Sequence, residues 1–155
     1  MELDNLVTQE KANSGEWFPA VLYGRPADFD LRILGDDSDT VQQYNRQAMK
    51  KLKGVMSKSS KSGEVDLDDE AIDEIADSGD DAVVARIAGI RGWKAERRGS
   101  KIMSREPEPV TLNGVELKND AESYRLLIQK IPAVKDFVLK IARDRTNFLS
   151  NPSGN

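Results

Sequence analysis

Ten carboxylates and no basic side chain lie between Glu64 and Asp81, the densest set of oxygen ligands in the chain. Calcium is the first chemistry such a run suggests. An EF-hand loop needs oxygen ligands at alternating positions, a glycine at the sixth and a glutamate at the twelfth. Counted from Asp66, those positions hold Ala71 and Asp77, so the pattern fails. Paired carboxylates can also serve a glycosidase, but only where an apolar pocket raises the pKa of one of them, and these acids sit in a polar segment. The chain has no histidine and no cysteine. The commonest general base and metal ligand is thereby missing, and only lysine or carboxylate versions of a nucleophilic triad remain. Disulfides and thiolate metal sites are excluded, which is compatible with an intracellular origin. Gly89, Gly92 and Gly99 neither follow a predicted strand nor match a phosphate-binding loop. The expectation is a protein that is not an enzyme, with no catalytic, cofactor-binding or metal residues and no cofactor.

Two basic blocks flank the acidic one. Six basic residues and no acidic one fall between Arg46 and Lys61, and seven basic with one acidic between Arg86 and Arg105. Nucleic-acid binding through them wants interleaved aromatics for stacking or a zinc-finger or RNA-binding motif, and none accompanies them. With 23 basic and 27 acidic residues the net charge is −4, which disfavours a surface that binds nucleic acid as a whole. A solvated basic face is the favoured reading of the first block. Whether the acidic and basic blocks pair within the molecule or the acidic segment is a solvated tether is left open. The first residues carry neither a basic start nor an apolar run, and no stretch reaches the roughly 18 apolar residues of a membrane span. A soluble protein without a membrane partner is expected.

The elements that would position any site are read from periodicity. Residues 1–15 are expected to form a flexible arm or a short helix. From Trp17 to Ile33 a β-hairpin is predicted, because Phe29, Leu31 and Ile33 alternate with polar neighbours. Gly24, Arg25 and Pro26 are its expected turn, and Pro19 points to an edge strand. Four of the chain's nine aromatics, Trp17, Phe18, Tyr23 and Phe29, fall in it. Either they pack on the helices, which is the favoured reading, or they present an adhesive face. Asp36 to Asp39 supply a cap for a helix with Val41, Tyr44, Ala48, Leu52 and Val55 on one face. Residues 57–69 are expected to be a flexible charged linker leading into an acidic helix with Leu67, Ile72, Ile75 and Ala76 as its stripe. Val83, Ile87, Ile90 and Trp93 then recur at helical spacing and predict a helix ending near Gly92, with Trp93 in the core. Asn113-Gly114 between two short apolar runs marks a second hairpin. Tyr124, Leu127, Ile128 and Ile131, then Val134, Phe137, Val138 and Ile141, predict two helices bent at Ile131-Pro132, with Asn119 or Asp120 as cap and Phe148 and Leu149 as anchor. The fold class is α+β: a mostly helical single domain over 16–149, its N-terminal hairpin and short Asn-Gly hairpin packed on a helical bundle, with 150–155 a disordered tail.

In order along the chain, the hairpin and capped helix FDLRILGDDSDTVQQYNRQAMKKL, a helix ending in IRGW, and LNGVELKNDAESYRLLIQKIPAVKDFVLKIARDRTNFL resemble the tail assembly chaperones of long-tailed bacteriophages. The matching positions are Gly92, Trp93, Asn113, Gly114, Leu127, Pro132, Phe137, Asp144, Arg145, Asn147 and Phe148. The resemblance covers about two thirds of the chain, and a charged insert from Glu96 to Glu108 departs from it. It implies a non-enzymatic role in the host cell cytoplasm: coating the tape measure protein, keeping it soluble, recruiting tail tube protein and leaving before the mature virion. Such a role wants exposed apolar patches with charged rims. The candidate contacts are Trp17, Phe18 and Tyr23 of the hairpin and Phe148 near the C-terminus, each weighed against ordinary core packing. A virion structural protein such as a head-tail connector and a small nucleic-acid-binding regulator are the alternatives, and the oligomeric state, homo-oligomer included, is left open.

Overall fold

A computed structural model of the chain describes Leu3 and residues 6–61 and 79–149. The expected acidic helix around Ile72, the linker at 62–69 and the tail at 150–155 lie outside the described residues. The elements are α1 (Gln9–Ser14), β1 (Glu16–Leu22), β2 (Arg25–Ile33), α2 (Asp39–Lys61), a helical stretch at 79–84 taken as α3, β3 (Ile87–Arg98), β4 (Lys101–Glu108), β5 (Thr111–Leu112), β6 (Val115–Glu116), α4 (Ala121–Lys130), α5 (Pro132–Arg143) and a 3-10 turn (Arg145–Phe148).

The α+β class holds, but the centre is a sheet rather than a helical bundle. Four antiparallel strands run in the order β1-β2-β3-β4. Period-two alternation sorts their side chains: Phe18, Ala20, Phe29, Leu31 and Ile33 face α4 and α5, while Trp17, Pro19, Asp28, Asp30 and Arg32 face away. Onto the inner face the two helices bring Tyr124, Leu127, Ile128, Val134, Val138 and Ala142, which close the core with Leu31, Ile33, Val83, Ile87, Ile90 and Leu117. The bend between them is the expected one. The Asp120 carboxylate caps α4 by accepting from the Ser123 amide at 2.8 Å, and Pro132 opens α5. Two of the three tight turns place both residues at positive φ, as a type I′ hairpin requires: Asn113 and Gly114 as expected, and Tyr23 with Gly24, so Arg25 and Pro26 already belong to β2, while in the β3–β4 turn only Gly99 does.

The largest correction concerns residues 87–98, expected to be helical through Trp93 and in fact strand β3. Its register against β2 slips between Arg32 and Ile33: Gly89 pairs with Arg32 and Ile87 with Ile33, and Ala88 is passed over. A bulge of this kind puts two residues three apart on one face. Ile87 and Ile90 therefore both reach the core with the spacing of a helix. Trp93 is not in that core; it stands half-buried on the opposite face. The insert from Glu96 to Glu108 is the rest of the β3–β4 hairpin.

Nearer the N-terminus, the short helix is the one of the two expectations that is found: α1 spans Gln9–Ser14, Ala12 is buried, and Thr8, Gln9 and Asn13 hydrogen-bond Asp37 and Asp39. Helix α2, capped by the Ser38 hydroxyl accepting from the Val41 amide, continues through Lys61, so residues 57–61 are helix and not linker. Lysine is a good helix former and serine a tolerable one, so that composition extends a helix already nucleated.

One junction fastens both ends of the described chain. The Asp37 carboxylate accepts from Arg145 Nε and Nη2 at 2.8 and 3.1 Å and from the Thr8 hydroxyl at 2.9 Å. Beside it the Asp36 amide donates to the Ala142 carbonyl, Arg86 Nε donates to the Asp36 carboxylate at 2.8 Å, and the Phe148 ring lies against Gly35.

Candidate partner-binding surface

The face of the sheet turned away from the helices carries two indole rings and four arginines. Strand register assembles it: Trp17 of β1 lies beside Arg32 of β2, which pairs with Gly89 of β3, and Asp30 pairs with Arg91. Gly89 provides the space for the Trp17 ring, since a Cβ there would stand 2.8 Å from its Cη2. Asp30 is only 6% exposed, and its Oδ2 accepts from Arg91 Nε and from Trp93 Nε1, both at 2.9 Å. Held this way, the Arg91 guanidinium sits 4.2 Å from the Trp17 ring centroid and 5.3 Å from that of Trp93. Cation–π attraction to both rings adds to the charge-assisted hydrogen bond. Further along, Arg97 is ion-paired with Asp28, and Arg32 donates to the Ser14 carbonyl.

Beyond Gly92 strand β3 has no β2 partner and pairs with β4 alone. From Trp93 to Arg98 the hairpin therefore runs on as a two-stranded ribbon, about 20 Å long at the usual rise per strand residue. Every residue of β4 is exposed, Met103 by 52%. Gly92 marks the root of the ribbon, where a Cβ would meet the Glu108 carbonyl oxygen at 2.4 Å. One step inward β4 has ended, and the Ile90 amide donates instead to the Asn119 side-chain oxygen at 2.7 Å. Asn119, the alternative to Asp120 as the expected cap of α4, thus finishes the edge of the sheet.

The four sequence-predicted contacts do not share one surface. Trp17, 36% exposed, lies on the open face, and Tyr23, 80% exposed, projects from the β1–β2 turn. Phe18 points the other way and meets Phe148 edge-on, ring centroids 6.0 Å apart. Phe148 is 2% exposed, so it anchors the C-terminal turn and offers no surface to a partner. Asp30, Arg91 and Trp93 were not singled out from the sequence as a site. The available signal was the alternation of Gly89, Arg91, Trp93 and Ala95, hidden beneath the helix-like spacing of Ile87 and Ile90.

At the root of the ribbon is a hollow of about 450 Å³ whose charged lining mixes Arg91, Glu108, Glu116 and Lys118. Among the described residues no three carboxylates gather as a metal site, and no helix is long and apolar enough to cross a membrane. No protein-family model, curated protein or solved structure matches this chain.

Proposed function

We propose that the chain is a tail assembly chaperone of a long-tailed bacteriophage, a non-enzymatic protein that binds the tape measure protein in the host cytoplasm, keeps it soluble, recruits tail tube protein and is absent from the mature virion. The observation that carries this reading is the junction at Gly35–Asp37. Two stretches on which the resemblance rests, LGDDSD and DRTNF, lie more than a hundred residues apart in the chain, yet Arg145 forks onto Asp37 and Phe148 packs at Gly35. Motifs that meet in space behave as parts of one fold rather than as chance matches. The Asn113-Gly114 turn and the two helices meeting at Pro132, further elements of that resemblance, support the same reading. Gly92-Trp93 departs from it, closing no helix and lying in β3.

Partner binding is further supported by apolar side chains left in water beside charge: Trp17 and Val21 on or near the open face, and Ile102 and Met103 on the ribbon. Interfaces favour tryptophan, methionine and arginine over other surface residues. The test is co-expression with fragments of the tape measure protein encoded beside this chain. Raised fragment solubility and co-purification are expected. Unchanged solubility with no co-purification, or retention of this protein in purified particles, would count against the reading.

A further inference from the structure

We propose that the β3–β4 ribbon is a docking arm for an acidic, amphipathic polypeptide segment of the partner, a specification of the partner-binding reading above that rests on it. Arg98, Lys101 and Arg105 around the ribbon's tip would engage the segment's carboxylates, and Ile102 and Met103 its apolar side chains.

The charge distribution is the first argument. From Trp93 to Glu108 the ribbon holds five basic side chains and three acidic ones, but the acids lie toward its root, and residues 97–105 around the tip carry four basic side chains and no acidic one in a chain whose net charge is −4. Arg91 and Arg97, nearer the sheet, are answered by Asp30 and Asp28. Arg98, Lys101 and Arg105 have no ion-pair partner among the described residues, whereas Lys94 stands directly across from Glu106. At the ribbon's end Arg98 pairs directly across from Lys101. Like charges at such a cross-strand pair destabilise it, and a carboxylate brought by a partner would remove the repulsion.

The second argument is the apolar pair among those cations. Ile102 and Met103 are exposed where the ribbon could have been wholly polar. A nucleic-acid backbone gains little from an exposed methionine, whereas a polypeptide with its own apolar stripe gains contact area against an adaptable thioether. The ribbon beyond Trp93 also carries no aromatic side chain on which bases would stack. A second copy of the chain fits poorly. The β4 edge carries Pro107, charges of both signs and a register slip opposite Glu96 and Arg97, the devices by which natural edge strands resist pairing with themselves.

The experiment compares three probes by fluorescence anisotropy on the full chain: an amphipathic glutamate–leucine helical peptide, poly-L-glutamate, and a short DNA duplex. The paired variants are R98E/K101E and I102S/M103S on the ribbon, with K50E/K53E on α2 as a charge-matched control, each checked for native circular dichroism. The peptide is expected to bind the native chain more tightly than either other probe. Binding should weaken about tenfold or more in R98E/K101E, severalfold in I102S/M103S, and little in the control. Failure of the peptide to bind, equal loss in the α2 control, or preference for the duplex would each overturn the proposal. Co-purification of tape measure fragments with native chain and R98E/K101E alike would overturn the arm while leaving the chaperone reading intact. Loss with native chain as well, beside ribbon-dependent peptide binding, would remove the chaperone reading alone.

Discussion

Asp30 shows how much of the open face depends on one side chain. A carboxylate this buried persists only when its charge is answered, and here one oxygen serves a guanidinium and an indole at 2.9 Å each. Removing it frees Arg91 from its seat between the two tryptophans and leaves the Trp93 N–H unpaired. Asp30→Ala is therefore expected to destabilise the fold by about 1–2 kcal/mol, the lower end of the range for charged hydrogen bonds because the Arg91 side chain is 44% exposed. Urea unfolding measures the loss, and acrylamide should quench tryptophan emission more strongly in the variant; unchanged quenching would mean the cluster is not held by Asp30. Gly89 makes a complementary point. Its added methyl would strike the far edge of the Trp17 ring at 2.8 Å, an obstacle able to swing away. Gly89→Ala should thus raise quenching of Trp17 with only a modest change in stability.

At the scale of elements the contrast is Gly92. There the obstacle is the Glu108 carbonyl at 2.4 Å, which is backbone, so Gly92→Ala has to part the root of the ribbon from β4. Its cost is expected at about 2–3 kcal/mol, clearly more than that of Gly89→Ala in the same denaturation assay. If the two prove equal, β4 does not close on β3 as described. This strand is also where reading the sequence failed. The hairpin of Phe29, Leu31 and Ile33, the Asn113-Gly114 turn and the two stripes meeting at Pro132 were legible, because each carries its signal within a few residues. Strand β3 was not, since the bulge at Ala88 gives Ile87 and Ile90 helical spacing while two glycines that disfavour a helix are used for close approach. The face made by Trp17, Asp30, Arg91 and Trp93 was less legible still. Those residues span three strands, and only a register fixed by tertiary packing sets them side by side. Of the four contacts named from sequence, Phe18 and Phe148 proved to be partners of each other, a pairing no local pattern announces.

Across the whole molecule, electrostatics sets both the acid limit of the fold and its attraction for partners. Asp37 joins α1, the start of α2 and the C-terminal turn, and the Arg145 hydrogen bond holds its pKa below the ordinary carboxylate value of 3.8, helped by Thr8. A carboxylate with a lowered folded pKa stabilises fully above its unfolded value, and that contribution disappears as the pH falls through the folded one. The stability difference between native chain and Asp37→Asn should therefore be constant from neutrality to about pH 4 and close below it. A residual acid transition should remain in the variant, because Asp120 and Asp144 are shifted downward too by their hydrogen bonds to Ser123 and Thr146. The larger pattern is one of segregation. All 23 basic residues but only 17 of the 27 acidic ones fall among the described residues, a surplus of six positive charges, whereas residues 62–78 hold eight carboxylates and no base. The net −4 thus divides into a cationic set of described residues and an acidic run in the same chain, and a polyanion so tethered is expected to compete at high effective concentration with an acidic partner. Converting those eight carboxylates to their amides preserves length and moves the net charge from −4 to +4. That variant should bind the glutamate–leucine peptide more tightly than the native chain at low salt, with the gain disappearing as salt screens it. Equal affinity at every salt concentration would show that the acidic segment and the cationic body do not act on each other.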